Sequence, residues 1–204
     1  MPDLHVDLGF RVVGSSVPLD HGYVLYAALS EALPLVHQAN WIGVHPLTGL
    51  RVGRDLNLSR ISRLRLRLPA SRIPDVLALA GKRLELNGSV LRVGVPEIRP
   101  LRPAAALRAR LVNIKGFTEP EPFIEALQRQ LDALGVKGKS SIGRRRVIRI
   151  KDKTIVGFQV VVSQLTAEES ITLQEHGLGG RRRMGCGIFV PVRGPIDPLR
   201  PRNG

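Results

Sequence analysis

The chain has 204 residues, with 31 Lys and Arg against 17 Asp and Glu, so its formal net charge at pH 7 is +14. This length suits one large domain or two small ones, and the charge favours a nucleic acid over a small molecule as partner. A single cysteine, Cys186, excludes an intrachain disulfide and a cysteine-based zinc site.

The pattern of apolar residues excludes the membrane classes. No apolar run reaches the ~18 residues of a transmembrane helix, and the first residues lack the basic and then apolar layout of a signal peptide. No long amphipathic basic helix suggests binding to a membrane surface. We therefore expect a cytoplasmic protein without a membrane partner, and a flexible tail at residues 194–204, which are rich in Pro, Gly and Arg.

The first half of the chain predicts the order strand, helix, strand, strand, helix, strand. Residues 4–13 alternate as in a strand, and a helix over residues 23–33 follows, with Asp20 as its N-cap and Pro34 at its end. In residues 61–68 leucines alternate with arginines, which predicts a strand with a row of exposed arginines on one face. A helix and a hairpin complete this half.

That helix covers residues 69–80, and the hairpin turns at Asn87–Gly88. The second half predicts the same order of elements. They are a strand within 101–115, a helix over 118–134 closed by Gly135, a hairpin of residues 145–151 and 154–162, a helix opened by the capping box Thr166–Glu169, and a closing strand over 185–192.

Both halves therefore predict the ferredoxin-like order βαββαβ. We expect an α+β fold made of two such domains, residues 1–98 and residues 99–193, with a Gly-rich loop before the last strand. The two halves are not visibly similar in sequence, so the repeat concerns the order of elements only.

The loop before that last strand, residues 177–187, combines glycines with the run Arg181, Arg182 and Arg183, and is called the Gly-Arg loop below. Glycines such as Gly179 and Gly180 let a backbone approach its partner closely, successive backbone N–H groups can form an anion-binding concavity, and arginine suits phosphate. No Gly-Lys-Ser/Thr follows, and the loop precedes a strand, so it is neither a Walker loop nor a dinucleotide fingerprint. We expect it to bind a polyanion. The alternative is a tight turn with a solvated charge run.

A second basic patch lies on the predicted hairpin of the second half. It contains Arg144, Arg145, Arg146, Lys151 and Lys153. Phosphate contacts of this kind give affinity and salt sensitivity rather than sequence choice. Because only 4% of the residues are aromatic, few rings are available to stack on single-stranded bases, and a grip on duplex backbone is favoured.

Three stretches that span most of the chain carry a resemblance to a known family. They are DHGYVLYAALSEALPLVHQANWIGVHP, RRRVIRIKDKTIVGFQVVVS and GLGGRRRMGCGIFVPV. With the ferredoxin-like tandem and the Gly-rich loop, the chain resembles the RAMP superfamily of CRISPR-associated proteins, and within it the Cas6 family of endoribonucleases that process precursor crRNA. The resemblance implies a CRISPR repeat RNA, commonly a stem-loop cut at the 3′ base of its stem, as partner. It is closest to forms attached to type I systems, which adds other Cas proteins of an effector complex as further partners.

The resemblance also implies metal-independent cleavage, in which the ribose 2′-OH attacks the adjacent phosphorus and leaves a 2′,3′-cyclic phosphate and a 5′-OH. The residues are compatible with this chemistry, since no cluster of carboxylates, Cys or His has metal-ligand spacing, and we expect no cofactor. Such a reaction needs one group to take the 2′-OH proton, one to protonate the leaving 5′ oxygen, and positive charge near the phosphorane.

Histidine suits either proton transfer at neutral pH. His37 follows the first helix, where many relatives carry their catalytic histidine, and is the first candidate; His45 is the second. Ser30 stands where relatives carry Tyr or His and could at best position the ribose, while Tyr26, one turn earlier, has a spacing more typical of a core residue. His21, at the helix start, is expected to support the turn. The candidates for charge stabilisation are Lys115, Lys151, Lys153 and the arginines.

Two other functions stay open on the sequence alone. The chain could be a RAMP subunit that holds RNA in an effector complex without cutting it, or a general basic RNA-binding or ribosome-associated protein. Binding of repeat RNA without cleavage would favour the first, and equal binding of unrelated duplexes would favour the second.

Overall fold

Two compact units make up the described chain, and each is built on an antiparallel sheet. The structure is a computed structural model that describes residues 3–150 and 153–192, without the side chain of Lys153. The first unit runs to Pro100, and the second begins at Leu101.

The first unit has a five-stranded main sheet and a three-stranded second sheet. Its strands are β1 (His5–Val13), β2 (Ser16–Pro18), β3 (Gly43–Val44), β4 (Leu50–Val52), β5 (Asp55–Asn57), β6 (Arg63–Pro69), β7 (Arg83–Leu86) and β8 (Ser89–Pro100). Its α-helices are α1 (Gly22–Ala32), α2 (Leu35–Gln38) and α3 (Ile73–Val76). The strand order is β3-β6-β1-β8-β7 in the main sheet and β2-β5-β4 in the second.

Strand β1 is the centre of the main sheet, because it pairs antiparallel with both β6 and β8. Leu8 of β1 lies opposite Leu66 of β6, and both side chains are buried. The hairpin of β7 and β8 turns at Asn87 and Gly88, as predicted, and both residues have positive φ. A two-residue turn of this kind requires that conformation.

Helix α1 ends before Pro34, as predicted, and the chain restarts at once as α2. Its N-cap is His21 rather than the predicted Asp20, and no side chain caps it. The predicted helix over residues 69–80 is a succession of short turns, with α3 between the 3-10 turns Ala70–Arg72 and Leu77–Leu79. Tight 3-10 turns of this length rarely extend further.

The arginines of β6 do not form the exposed row that their alternation predicted. Arg67 is only 1% exposed, and Arg63 and Arg65 are half-buried. The prediction was wrong because β6 lies inside the sheet, between β3 and β1, where Asp7 of β1 stands opposite Arg67 and supplies a carboxylate.

The second unit contains one four-stranded sheet and two longer helices. Its elements are β9 (Ala106–Val112), α4 (Pro120–Ala133), β10 (Lys139–Ile150), β11 (Lys153–Ser163), α5 (Ala167–His176) and β12 (Phe189–Pro191). The strand order is β10-β11-β9-β12. The first unit has the same order in β3-β6-β1-β8, the second, third, first and fourth strands of a βαββαβ unit. This shared order confirms the predicted tandem of ferredoxin-like folds.

Helices α4 and α5 cover one face of the second sheet. Phe123 and Leu127 of α4 and Leu173 of α5 share one buried cluster with Ala109 of β9 and Val160 of β11. The longest helix of the described residues, α4, has 14 residues, and none of their helices is long and apolar enough to cross a bilayer.

Two end signals of the second unit are confirmed and one strand is shorter than predicted. The Thr166 side chain accepts a hydrogen bond from the Glu169 N–H, and the Glu169 carboxylate accepts one from the Thr166 N–H, which completes the capping box. Gly135 follows α4 with a φ of +70°. The closing strand was predicted over the eight residues 185–192, but β12 has only three. A 3-10 turn, Arg182–Met184, and glycines precede it.

Candidate functional site

A tyrosine and a histidine on consecutive helices form the first element of the candidate site. The Tyr26 hydroxyl of α1 lies 2.9 Å from Nδ1 of His37 in α2, and the two rings stack with centroids 6.3 Å apart. Tyr26 is 9% exposed, whereas His37 is exposed. The contact arises because α1 stops at Ala32 and Pro34 starts the short α2, which returns the chain towards α1.

This pair can keep its hydrogen bond while the imidazole changes protonation state. A phenol hydroxyl can donate to an unprotonated Nδ1 or accept from a protonated one. Tyr26 therefore holds the His37 ring in place without fixing its charge. The spacing of Tyr26 in α1 predicted a core aromatic, and the side chain is indeed buried; the sequence gives no sign that its hydroxyl reaches a histidine eleven residues later.

Ser30 lies one helical turn after Tyr26, and its hydroxyl is not accessible. Its Oγ atom is buried and has no hydrogen-bond partner among the described residues. A buried hydroxyl of this kind cannot contact a ribose without movement of its neighbours. The structure thus argues against the role that the resemblance implied for Ser30, the positioning of the substrate ribose.

His45 belongs to a buried polar network of the main sheet. Its Nε2 atom donates to Oδ1 of Asp7 over 3.0 Å, and Asp7 also accepts from Arg67 Nε at 2.8 Å and Nη2 at 3.0 Å. Burial would raise the pKa of Asp7, but the hydrogen bonds and charges of His45 and Arg67 outweigh it and hold this pKa well below 3.8. The network joins the strands β1 and β6 to the residue that follows β3.

The same network makes His45 a poor proton carrier at neutral pH. The pKa of His45 is lowered from 6.5 to about 4, chiefly by burial and also by the charges of Arg67 and Arg65, against the opposing hydrogen bond and charge of Asp7. Its side chain is 7% exposed. His45 therefore stays neutral at pH 7 and has a structural position, unlike the role of second catalytic candidate that we expected for it.

His21 is held by two backbone groups. Its Nδ1 lies 3.0 Å from the Pro18 carbonyl, and its Nε2 lies 2.9 Å from the Leu47 N–H. A carbonyl only accepts and an N–H only donates, so the ring must carry its proton on Nδ1 and be neutral. His21 is 3% exposed, and this arrangement supports the turn at the start of α1, as expected.

Three glycine N–H groups of the Gly-Arg loop are used inside the fold and are not available to the anion-binding concavity that we expected. Gly179 N–H donates to Oε1 of Gln130 over 2.7 Å, Gly180 N–H to the Asn113 carbonyl over 2.9 Å, and Gly187 N–H to the Leu111 carbonyl over 2.8 Å. These bonds fasten the loop to the end of β9 and to α4. The N–H groups of these three glycines serve the fold.

The glycines of the loop divide by what surrounds them. A Cβ atom would lie 2.3 Å from the Asn113 carbonyl oxygen at Gly179, and 2.2 Å from backbone oxygens at Gly177 and Gly187; all three have positive φ. Gly180 is exposed, and a Cβ there would meet no atom within 4 Å. Packing therefore requires glycine at three of these four positions. At Gly180 it does not, because a side chain would fit there.

The three arginines of the loop also differ. Nη2 of Arg182 donates to the Glu175 carbonyl over 2.6 Å, so this side chain caps the last turn of α5. Arg181 is exposed and has a left-handed backbone with φ +63°, and Arg183 is half-buried. Arg181 is thus the member of the run that lies most open to a polyanion.

The other predicted contacts lie on the same unit. Arg144, Arg145 and Arg146 are exposed on β10, and Lys115 is exposed in the turn that follows Asn113. Lys151 lies outside the described residues, as does the side chain of Lys153. Among the residues that the structure describes, no group of three or more His, Cys, Asp or Glu side chains is placed to hold a metal ion.

The comparison with known proteins agrees with the fold. The family model described as Cas6 Crispr matches residues 6–194. The CRISPR-associated endonuclease Cas6 of Myxococcus xanthus (strain DK1622) is 43% identical over 186 residues, which are 91% of this chain and 81% of that protein.

Solved structures with little sequence identity share the same architecture. A CRISPR associated protein Cas6 matches with a TM-score of 0.65 at 14% identity, over 93% of this chain and 99% of that one. The product of a Cas6-related gene from Pyrococcus furiosus matches with a TM-score of 0.67 at 12% identity, over 92% and 98%. Thermus thermophilus Cse3, bound to an RNA representing a pre-cleavage complex, matches with a TM-score of 0.52 at 14% identity, over 92% and 98%.

Proposed function

The chain belongs to the Cas6 family, and from this premise we propose that it is an endoribonuclease that cleaves CRISPR repeat RNA in precursor transcripts to give mature crRNA. The relative from Myxococcus xanthus, 43% identical, is described as a CRISPR-associated endonuclease. The excess of positive charge, +14 over 204 residues, supports RNA as the substrate. Other Cas proteins of a type I effector complex are proposed as further partners.

The observation that carries the catalytic assignment is the hydrogen bond between Tyr26 and His37. Of the three histidines described above, His21 is fixed as neutral by two backbone groups, and His45 is buried beside Asp7. His37 is exposed, and its partner at Nδ1 can both donate and accept. Such a partner keeps the ring oriented in both protonation states that a proton carrier passes through in each turnover.

The proposed reaction is a transesterification without an external nucleophile. The ribose 2′ oxygen forms a bond to the adjacent phosphorus and gives up its proton, while the bond from phosphorus to the 5′ oxygen breaks and that oxygen takes up a proton. The products are a 2′,3′-cyclic phosphate and a 5′-OH. His37 acts through Nε2 at one of the two proton transfers, and Tyr26 is a positioning residue that holds the ring through Nδ1.

Positive charge would stabilise the phosphorane. Lys115, Lys151, Lys153 and the arginines all stay predictions for this charge. Contacts to the RNA backbone are assigned to Arg144, Arg145 and Arg146 on β10 and to Arg181 and Arg183 of the Gly-Arg loop. Gly180 would let the RNA approach the loop backbone closely, and Gly179 gives the loop its shape. Arg182 is assigned to the fold because it already binds the Glu175 carbonyl.

The first experiment is cleavage of the repeat RNA from the host's own CRISPR array, in EDTA. The substrate is used with and without a single 2′-deoxy substitution at the cut site. We expect the RNA to be cut in EDTA and the deoxy RNA to stay intact. Cleavage of both RNAs would contradict the 2′-OH mechanism, and cleavage only with added divalent metal would contradict metal independence.

A second candidate function is a RAMP subunit that holds RNA without cutting it. The exposed arginines of β10 would serve that function equally well. Tight binding of the repeat RNA with no cleavage under any metal condition would establish it in place of the nuclease.

A further inference from the structure

The second unit carries a cluster of four arginines on the sheet face that the helices leave uncovered. It consists of Arg108 and Arg110 on β9 and Arg144 and Arg146 on β10, and it is called the four-arginine surface below. Two of its members, Arg108 and Arg110, stand between apolar residues in the sequence ALRARLV and attracted no prediction.

The position of these side chains follows from the residues between them. Leu107 and Ala109 of β9 belong to the buried cluster under α4 and α5, so the alternation of a strand places Arg108 and Arg110 on the opposite face. Phe158 of β11 points into the buried cluster, so its neighbour Gly157 faces the other side of the sheet. Arg146 stands opposite Gly157 and faces that side too.

The four positive charges influence one another. Burial lowers the pKa of the Arg146 guanidinium, and the charges of Arg110, Arg144 and Arg108 lower it further, in that order. Arg145, although adjacent in the chain, stands opposite Phe158 of the buried cluster and therefore lies on the other face. The run Arg144–Arg146 is thus divided, with Arg144 and Arg146 beside the arginines of β9.

Within residues 3–150 and 153–192, the protein supplies no counter-ion to this cluster. No carboxylate is bonded to any of the four side chains there, and the Nε of Arg110 is buried without a hydrogen-bond partner. Like charges that lie close together without a counter-ion destabilise a fold, and an unpaired buried donor adds to the cost. An anion from outside the chain would relieve both.

The shape and chemistry of the surface fit a run of phosphates. The arginines of β9 and β10 stand on the two sides of β11, whose Val161 lies opposite Arg108 and whose Gly157 lies opposite Arg146. Arg108 and Arg110 lie two residues apart on a strand, about 6.6–6.8 Å along its axis, close to the spacing of successive phosphates in an RNA strand. The two aromatic residues of β9 to β12, Phe158 and Phe189, both lie in the core under the helices and cannot stack on bases here.

We propose that the four-arginine surface binds the sugar-phosphate backbone of the RNA and reads no bases. This deepens the proposed function and rests on it. Arg108 and Arg110 are thereby new binding residues. They bind together with Arg144 and Arg146. Arg145 would contact the RNA from the other side of β10.

The test is the salt dependence of RNA affinity in an Arg108→Gln/Arg110→Gln double variant. Binding of the fluorescently labelled repeat RNA is measured by anisotropy between 50 and roughly 400 mM NaCl, with a scrambled RNA of equal length as second probe. We expect a loss of affinity of roughly tenfold at low salt and a slope of log K against log [NaCl] that is smaller by about 1.4 to 1.8, the value for two lost phosphate contacts. Both RNAs should lose affinity by the same factor.

The matched control is Arg129→Gln, which makes the same chemical change on α4, on the other side of the sheet. Its slope should equal that of the wild type. The melting temperature of the double variant should be equal to or above the wild-type value, because two repelling charges are removed.

The outcomes separate this inference from the proposed function. If the wild type cuts the repeat and the double variant keeps the wild-type salt dependence, the inference about the four-arginine surface is wrong and the proposed function stands. A loss limited to the repeat RNA would overturn the claim that only phosphates are bound. A wild type that neither binds nor cuts the repeat would overturn the proposed function.

Discussion

The hydroxyl of Tyr26 and the imidazole of His37 are joined by a 2.9 Å hydrogen bond across the break between two helices. If His37 carries a proton in the reaction, His37→Ala should lower the single-turnover cleavage rate by about 10²–10⁴-fold. Affinity for the repeat RNA, measured with the uncleavable deoxy substrate, should stay within a few-fold. An unchanged cleavage rate would remove His37 from the mechanism.

Tyr26→Phe removes the hydroxyl and keeps the buried ring. We expect the cleavage rate to fall by about tenfold with little change in RNA affinity, since the phenol orients His37 and does not itself bind substrate. The rate should fall by the same factor at every pH measured, because the hydroxyl can bond Nδ1 in both protonation states. A purely structural role would instead lower the melting temperature and reduce the rate and the RNA affinity together.

Ser30→Ala should leave cleavage within about threefold of the wild type. The Ser30 hydroxyl is buried without a partner, and removing such a group is neutral or stabilising. The free energy of unfolding, measured with urea, should therefore be equal or higher. A rate loss beyond tenfold in a stable variant would show that the hydroxyl reaches the substrate and that the burial changes on binding.

His45 predicts how stability depends on pH. Its pKa is about 4 in the folded chain against 6.5 for the free side chain, so the unfolded chain binds a proton first as pH falls. Stability is complete above pH 6.5 and decreases towards pH 4, and the loss between pH 8 and pH 5 amounts to about 2 kcal/mol. Urea denaturation at these two pH values measures it.

The control for this effect is His45→Gln, which can still donate to Asp7 but does not titrate. Its stability should change less than that of the wild type between pH 8 and pH 5, by about the same 2 kcal/mol. Equal pH dependence in both proteins would show that His45 is hydrated or paired differently in solution. Asp7 does not contribute to this difference, because its pKa lies below pH 5.

Two neighbouring glycines should respond differently to the same substitution. Gly179→Ala places a Cβ 2.3 Å from the Asn113 carbonyl oxygen at a positive φ, and we expect it to lower stability by at least ~1–3 kcal/mol. Gly180→Ala should melt with the wild type, since its Cβ meets nothing, and should weaken RNA binding several-fold. Thermal denaturation and anisotropy distinguish the pair; a stable Gly179→Ala would contradict the packing described.

Local signals in the sequence predicted the elements well where the cause is itself local. The Asn87–Gly88 turn, the capping box of Thr166 and Glu169, and Gly135 after α4 all depend on residues within a few positions of one another. The tandem of two ferredoxin-like units could be predicted as well, because the order of four strands and two helices within each unit is read directly along the chain.

The parts that depend on distant pairing could not be predicted in this way. Arg67 was expected to be exposed because alternation shows which side chains share a face, but not which strand supplies a neighbour; its partner Asp7 lies 60 residues away. The same limit concealed the contact of Tyr26 with His37 and the placement of Arg108 and Arg146 on one face of the sheet. The hydrogen bonds of the Gly-Arg loop were hidden for the same reason, because the N–H groups of Gly179, Gly180 and Gly187 find acceptors in α4, after β9 and in β9, far away in the chain.

Arg181 has a left-handed backbone conformation, which is costly for a residue other than glycine. A side chain other than glycine is disfavoured in that conformation, and four glycines already stand at positive φ in the same loop. Glycine at position 181 would make the protein more robust to heat. Arginine at this position therefore carries a backbone cost, which the proposed contact of Arg181 with RNA would offset.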